Sequence, residues 1–343
     1  MFTLTPKENY LRAIRGEMPE WVPMHTFGKM PGDVEEPPHI MITPPCLNEH
    51  REGAAETDIW GVPYVGSESA GGGKMPQTHD FILTDITKWR DVIKAPDIDA
   101  IDWEAEIATA LERSGVDREQ TAVSLNLHVG YFQNLMAFMG FTEGLLAFAE
   151  EPEETKALIE YLCDFYCAVG EIVMPILEPD MLIMMDDTAA LRNPFISLDT
   201  YREFLLPAYR REAALANDRG LPIEFHNCGR CEDFLDDMIS FGVKAWDPAQ
   251  LVNDLDGIKR KYKGKLTIIG AFETEGRLLA PDCTDEEIRQ AVRASFDRMA
   301  PGGGYIFSGI FMGPFDDPIL QHKNQIMFDE VAKYGRAFYG NER

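Results

Sequence analysis

The sequence lacks the features of a membrane, secreted or nucleic-acid-binding protein. Its longest apolar stretches, such as residues 172–177, are far too short to span a bilayer, and residues 1–7 carry neither the basic start nor the apolar run of a secretory signal. Basic side chains are scarce, since 32 lysines and arginines stand against 58 acidic residues, a net charge of −26. Nucleic acids and anionic membranes are bound through a surplus of lysine and arginine. We therefore expect a cytoplasmic protein that binds neither nucleic acid nor membrane.

Cysteine is also sparse, with six in 343 residues, which excludes a disulfide scaffold. Several common catalytic signatures are absent: there is no H-E-x-x-H, no G-x-S-x-G and no EF-hand loop. The glycine-rich stretches 71–73 and 302–304 lack the spacing of a nucleotide-binding loop. Hydrophobic residues nevertheless make up 45% of the chain, enough for a sizeable core. The composition predicts a folded protein, and any catalytic function must depend on motifs other than these.

Apolar runs of strand length alternate with helical stretches along most of the chain. A capping box at residues 5–8 begins the first helix, residues 21–27 predict a strand, and a proline-rich excursion follows over 31–77. Further strands are predicted at 121–127, 181–185, 222–226, 243–246, 266–269 and 305–307, with helices at 143–176, 198–219 and 285–299. Strands separated by helices are parallel and joined by right-handed crossovers. The pattern predicts one domain over 1–343, an α/β fold of the (β/α)8 TIM barrel type with an N-terminal helical and loop excursion; a doubly wound sheet is the alternative.

Active sites of such barrels lie at the carboxyl ends of the strands. Side chains suited to metal binding or acid–base chemistry follow the predicted strands repeatedly. They are His25, Asn126, His128, Asp186, Asp187, His226, Cys228, Asp247, Gln250, Glu273 and Ser308. Their recurrence predicts a site at that face.

The strongest local signal is the segment 225–231, FHNCGRC, directly after a strand. Imidazole and thiolate are the ligands that zinc prefers, and His226 and Cys228 can reach one ion where the chain turns. A cysteine nucleophile with a histidine base is the alternative, although it too requires a bend. Cys231 is either a further ligand or a first-turn residue of the next helix. The segment favours a metal site.

Asp186 and Asp187 close an apolar strand. Such a pair can act as an acid or base, bind substrate or hold a ligating histidine, or it can be a helix cap or a salt-bridged pair with Arg192. Because adjacent residues on a strand point opposite ways, at most one should face the site. His128 also follows a strand, with a satisfied core histidine as the alternative. We take Asp186, Asp187 and His128 as the catalytic candidates.

Three blocks of sequence resemble the uroporphyrinogen decarboxylase superfamily. They are residues 9–23 (NYLRAIRGEMPEWVP), a block from Asp186 to Pro207, and a block from His226 through Trp246-x-Pro248-x-Gln250 to Gly270. The resemblance implies a (β/α)8 barrel. True uroporphyrinogen decarboxylases carry R-Q-A-G-R after the first strand, whose arginines grip the substrate's carboxylates. Residues 25–29 read HTFGK here, with no arginine, so the resemblance points away from that decarboxylation.

The other branch of the superfamily comprises corrinoid-linked methyltransferases, in which H-x-C and a later cysteine bind zinc. His226 and Cys228 match the first two ligands, but Ser308 stands near the place of the third. Cys231 or Glu273 then completes the site, or zinc is absent. FHNCGRCEDF is also similar to sequences acting on veratrol-type aromatic methyl ethers. The resemblance implies methyl transfer from a small donor, a methoxylated aromatic, to a corrinoid, which a separate protein must carry because this sequence has no D-x-H-x-x-G motif.

Zinc, or an acid such as Asp187, would then assist departure of the phenolate. The expected substrate-binding residues are His25, Asn126, Trp246 and Gln250. Two other functions stay open: a decarboxylase or lyase acting on a small carboxylic acid with Asp186 or Asp187 as the acid, and a non-catalytic corrinoid- or tetrapyrrole-binding protein. The sequence also leaves a homo-oligomer open.

Overall fold

The computed structural model describes residues 2–26, 37–67, 73–314 and 316–340. Seven parallel strands form a curled sheet in the order β1-β4-β5-β6-β7-β8-β9, and β2 and β3 pair antiparallel outside it. The strands are β1 (His39–Ile42), β2 (Tyr64–Gly66), β3 (Lys74–Pro76), β4 (Ala122–Leu125), β5 (Met181–Met185), β6 (Ile223–His226), β7 (Val243–Ala249), β8 (Thr267–Gly270) and β9 (Tyr305–Phe307). This is the predicted α/β class with a sheet consistent with a TIM-like barrel.

Helices connect the strands of the large sheet. They are α1 (Pro6–Ile14), α2 (Pro45–Glu52), α3 (Trp89–Val92), α4 (Trp103–Ser114), α5 (Tyr131–Met139), α6 (Phe141–Glu150), α7 (Pro152–Leu177), α8 (Leu198–Thr200), α9 (Leu206–Asn217), α10 (Leu235–Ser240), α11 (Leu255–Lys261), α12 (Asp285–Met299) and α13 (Pro318–Phe338). A π-helical stretch, Tyr201–Leu205, joins α8 to α9, and short 3-10 turns lie at Ile86–Lys88, Ile98–Ala100 and Glu232–Phe234. Within the described residues, no helix is long and apolar enough to cross a membrane.

The first helix packs inside the curl of the sheet. The predicted capping box is confirmed, since Thr5 accepts from the Glu8 amide and Glu8 reaches back to the amide of Thr5. Tyr10, Leu11 and Ile14 then form one buried cluster with residues of five strands: Ala122, Met181, Ala245, Ile269 and Ile306. Apolar side chains of strands and helix thus fill this part of the interior.

One short segment, residues 22–26, touches both edge strands of the sheet. Met24 bridges Phe307 of β9, with the His25 amide donating to the Phe307 carbonyl at 2.7 Å. On the other side, the Thr26 hydroxyl donates to the carbonyl of His39 in β1 at 3.0 Å. The predicted strand at 21–27 is therefore wrong in extent, because pairing is confined to a single bridge; Phe27 lies outside the described residues.

The excursion holds more regular structure than its prolines suggest. β1, α2, β2 and β3 all lie within 39–76, where the sequence predicts only loop, and β1 belongs to the main sheet. Residues 31–36 and 68–72 of that stretch lie outside the described part of the chain. The long helix predicted at 143–176 is divided at Glu151, ahead of Pro152, because proline has no amide hydrogen to continue the ladder.

Candidate metal centre

A tight turn after β6 brings the imidazole of His226 and the thiol of Cys228 together. Gly229 adopts a left-handed φ of 88°, and a Cβ there would lie 2.5 Å from the carbonyl oxygen of Ala189, so only glycine fits. Its amide donates to Gln250 Oε1 at 2.6 Å, which fixes the turn from the other side. Cys228 Sγ consequently lies 3.5 Å from His226 Nε2. This turn supplies the bend that a shared ligand site requires.

Asp187, at the end of β5, completes the cluster. Its Oδ1 accepts the Cys228 amide at 2.7 Å and its Oδ2 accepts from Gln133 Nε2 at 2.8 Å. The same Oδ1 lies 3.9 Å from His226 Nε2. All three residues are half-buried, and each offers one ligand atom, these atoms lying within 4.8 Å of one another. We call Asp187, His226 and Cys228 the upper cluster.

The upper cluster fits a zinc-like ion. Bonds of about 2.3 Å to sulfur and about 2.0 Å to nitrogen place two ligands of a tetrahedral ion about 3.5 Å apart, and Cys228 Sγ is 3.5 Å from His226 Nε2. The other ring nitrogen, Nδ1, bonds Asp247 Oδ2 at 2.5 Å. A carboxylate behind a ligating histidine fixes its tautomer and raises its basicity.

Protonation within the cluster follows burial and these neighbours. Burial lowers the pKa of His226, but the Asp247 carboxylate more than offsets this and holds the pKa well above its usual range. Burial raises the pKa of the Cys228 thiol, which the adjacent imidazole only partly counters. An incoming metal ion must therefore displace protons, which makes its binding weaker at low pH.

The two expected third ligands, Cys231 and Glu273, are not brought to this cluster. The Cys231 thiol is fully buried and donates to the carbonyls of Cys228 at 2.9 Å and Asn227 at 3.2 Å. Glu273 is exposed and accepts the Leu251 amide at 3.2 Å. Among the described residues, Asp187 is instead the third group within reach of His226 and Cys228.

Asp186 points away from Asp187, as expected of neighbours on a strand. It is fully buried and accepts from the amides of Phe132 and Gln133 and, at 2.6 Å, from the hydroxyl of Tyr209. Gly130 makes room for it, because a Cβ there would lie 2.3 Å from the carboxyl carbon. Burial raises the pKa of Asp186 to about 7. Its contacts are those of a group that anchors the start of α5.

His128 lies in a separate buried pair. Its Nε2 bonds Glu212 Oε2 of α9 at 2.9 Å, and its Nδ1 accepts the amide of Gly130 at 2.9 Å. Tyr131 donates to the same Glu212 oxygen at 2.8 Å. With both ring nitrogens engaged inside the protein, the arrangement does not favour the catalytic role expected for His128.

The four expected substrate-binding residues are engaged within the protein. Gln250 holds the turn at Gly229, and Asn126 donates to the carbonyls of His128 and Ile183 at 3.0 and 3.3 Å. Trp246 is fully buried, with its Nε1 donating to the Asn227 carbonyl at 3.1 Å. His25 is buried next to Tyr10, whose hydroxyl is 2.6 Å from its Nδ1. Two residues that contact the upper cluster, Gln133 and Asp247, were given no functional role by the sequence. Only Asp247 could have been found, because it directly follows a predicted strand.

Comparison with known proteins fits this architecture. A methylated-thiol–coenzyme M methyltransferase of Methanosarcina mazei is 28% identical over 147 residues, 42% of this chain and 36% of that protein, so the match spans little more than a third of the relative. A solved methyltransferase structure from Methanosarcina mazei superposes with a TM-score of 0.64, covering 97% of this chain and 99% of that one. At 13% identity, this second likeness supports the fold alone.

The family model for uroporphyrinogen decarboxylase (URO-D) matches residues 73–312, more than half of the chain. This stretch contains six of the seven strands of the main sheet and all three residues of the upper cluster. The resemblance that the sequence motifs indicate is thereby confirmed: the chain belongs to the uroporphyrinogen decarboxylase family.

Proposed function

We propose that this protein is a methyltransferase of the corrinoid-dependent branch, moving a methyl group from a small donor to a corrinoid carried by a partner protein. The observation that carries the proposal is the upper cluster, a carboxylate, an imidazole and a thiol at the ends of two adjacent strands. Three protein ligands leave a fourth position for substrate, as in catalytic zinc sites. The sequence relative named as a methylated-thiol–coenzyme M methyltransferase supports the same branch.

Zinc bound there would act as a Lewis acid on the donor's oxygen or sulfur, the atom that must leave with negative charge. The protein's own residues prepare that position. Asp247 orients the imidazole of His226, and Gln133 together with the Cys228 amide orients the carboxylate of Asp187. The amide of Gly229, held by Gln250, keeps the thiol turned toward the imidazole. Each ligand is thus positioned by a partner, which limits rearrangement when the ion binds.

For the donor we propose a methoxylated aromatic, on the strength of the sequence resemblance. A methylated thiol is the competing class, because the curated relative is named for that donor. Both present a poor leaving group whose departure a Lewis acid assists. Comparing the two donors at equal concentration, with free cob(I)alamin as acceptor, decides between them.

We infer that residues 22–26 stand in the place of an eighth strand. The segment contacts β9 through Met24 and β1 through Thr26, so it lies between the two edges of the seven-stranded sheet. A closed ring would bring the ends of all strands to one face, where a partner protein could approach the upper cluster.

The test is the zinc content of anaerobically purified protein, measured by mass spectrometry for wild type, Cys228→Ser and a matched control. Cys283→Ser is that control, since Cys283 is also half-buried, its Sγ donates to the Thr284 carbonyl, and it belongs to neither candidate metal cluster of the described residues. We expect Cys228→Ser to lose one equivalent of zinc and methyl transfer to cob(I)alamin, and Cys283→Ser to keep both. Equal zinc and equal transfer in all three proteins would refute the proposal.

A further inference from the structure

The buried interior of the curled sheet next to the upper cluster contains several polar side chains. TIM-barrel interiors are filled mainly by branched apolar side chains, yet His25, His39, Ser124, Glu224 and Asp247 are all buried here. Three of them, His25, Glu224 and Asp247, each offer a ligand atom within 4.8 Å of the others. We call these three the lower cluster. Buried charged groups are costly unless they are paired or bind a metal, so this set needs an explanation.

Hydrogen bonds inside the protein account for only part of the lower cluster. His25 Nδ1 is 2.6 Å from the hydroxyl of Tyr10, which also lies 3.3 Å from Glu224 Oε2. The second oxygen, Glu224 Oε1, is buried and has no hydrogen-bond partner among the described residues. It lies 3.5 Å from His25 Nε2, too far for a good hydrogen bond.

The lower cluster contains two carboxylates. Glu224 and Asp247 are both fully buried, and in the described ranges neither forms an ion pair with a lysine or arginine. The groups that face Glu224 are Tyr10, His25, His226 and Asp247. Asp247 already serves the upper cluster through His226 Nδ1. Two buried carboxylates therefore lie close together, and in the described ranges neither has a lysine or arginine partner.

We propose that the lower cluster binds a second divalent cation. Bonds of about 2.0–2.2 Å to nitrogen and oxygen place two ligands of a tetrahedral ion about 3.4 Å apart, close to the 3.5 Å between His25 Nε2 and Glu224 Oε1. One histidine and two carboxylates suit zinc or a harder ion such as Mn²⁺ or Fe²⁺. The Tyr10 hydroxyl contacts the other ring nitrogen of His25, Nδ1, as outer-shell partners of metal-bound imidazoles do.

This second site does not depend on the proposed reaction. Asp247 would join the two sites, one carboxylate oxygen on the second ion and the other on His226. The lower cluster is fully buried and the upper one half-buried. An ion in the lower cluster should therefore leave more slowly when a chelator is added, and its coordination sphere should contain no sulfur.

The experiment uses the full-length chain expressed with excess zinc. Zinc is measured in wild type, Cys228→Ser and Glu224→Gln, and its release to a chelator is followed in time. We expect two equivalents in wild type, released in a fast and a slow phase. Cys228→Ser should retain one equivalent in the slow phase, and Glu224→Gln one in the fast phase. A single equivalent and a single phase, equal in wild type and Glu224→Gln, would overturn the proposal and indicate that Glu224 is instead buried with a proton.

A second measurement tests the same proposal if Glu224→Gln fails to fold. The double variant Cys228→Ser, Asp187→Asn removes two ligands of the upper cluster and none of the lower one. Expressed with Co²⁺, it should bind one equivalent that shows d–d bands without a thiolate-to-cobalt charge-transfer band. Absence of bound cobalt in this variant would equally overturn the proposal.

Discussion

His226 ends strand β6 and His128 follows strand β4, and each contacts a carboxylate, but only His226 belongs to a candidate site. His226 bonds Asp247 through Nδ1, and its Nε2 faces Cys228 and Asp187. His128 bonds Glu212 through Nε2, and its Nδ1 accepts the Gly130 amide.

The two histidines differ in what surrounds the ring nitrogen that does not bond the carboxylate, Nε2 in His226 and Nδ1 in His128. At His226 it faces two further candidate ligands, Cys228 and Asp187, whereas at His128 it accepts from a backbone amide that no ion can replace without loss of a hydrogen bond. Residue type and strand-end position are the same in both. The orientation of the second nitrogen therefore separates a ligand from a structural histidine, and this can be tested by removing each histidine or its partner.

The largest expected effect is that of His226→Ala. Loss of an outer-shell partner costs roughly 10–100-fold in metal affinity or activity, so loss of the ligand itself should exceed about 100-fold in both. Zinc analysis and methyl transfer to cob(I)alamin measure the two effects. His322→Ala is the control, because His322 is an exposed histidine that pairs with Asp285. Unchanged zinc and transfer in His226→Ala would remove the distinction between the two histidines.

Glu212→Ala should act on stability alone. Breaking a buried ion pair by removal of one partner costs about 3–5 kcal/mol, and Glu212 Oε2 bonds both His128 and Tyr131. Urea denaturation measures the loss, with Glu171→Ala as control, since Glu171 pairs with Arg219 at the surface. Zinc content of the folded variant should equal that of wild type. A variant that keeps its stability and loses zinc would place this pair in the metal site.

Asp247→Asn should have an intermediate effect on the upper cluster. The Asn oxygen can still accept from His226 Nδ1, but it lacks the negative charge that raises the basicity of the imidazole, so we expect the affinity for the ion held by Cys228 to fall about 10–100-fold. Competition with a metal indicator measures this affinity, and Asp254→Asn, which alters a helix cap at α11, is the control. Equal affinities for wild type and Asp247→Asn would show that the carboxylate does not tune the histidine.

Much of the fold could be predicted from the sequence because buried parallel strands read as short apolar runs. Residues 181–185 and 305–307 are strands with the predicted bounds. β1 was missed because Pro38 and Pro44 flank its four residues, and proline is typical of loops. Conversely, residues 21–27 look like a strand but pair only at Met24, since Pro23 has no amide to donate.

The candidate metal centre could be predicted from the sequence only for its two neighbouring residues. His226 and Cys228 are two residues apart, so their residue types alone indicate a metal. Asp187 comes from another strand, and its approach depends on the turn at Gly229 and on Gln133, neither of which its own sequence context reveals. Cys231 has a suitable spacing, yet its thiol is taken by backbone carbonyls at the start of the next turn. A residue such as Asp187, which tertiary structure brings to the cluster from another strand, therefore cannot be assigned to it from one sequence.

The smallest expected effect is a pH dependence of stability that His128 contributes. Burial lowers the pKa of His128, but Glu212 more than offsets this, so the folded-state pKa lies above the ordinary value near 6.5. The folded protein then holds this proton more tightly than the unfolded chain does, by less than the ion pair alone would give, because a protonated Nδ1 no longer accepts from the Gly130 amide. The stability that His128 contributes is fully present below pH 6.5 and is lost as pH rises through the raised folded-state pKa.

His128→Gln removes the titrating group while its amide can still donate to Glu212. We expect the difference in unfolding free energy between wild type and His128→Gln to shrink as pH rises above 6.5, by at most about 1.4 kcal/mol per pH unit for one proton. Urea denaturation of both proteins across this range measures it. A difference that stays constant with pH, or that grows, would mean that His128 is neutral in the folded protein over this range.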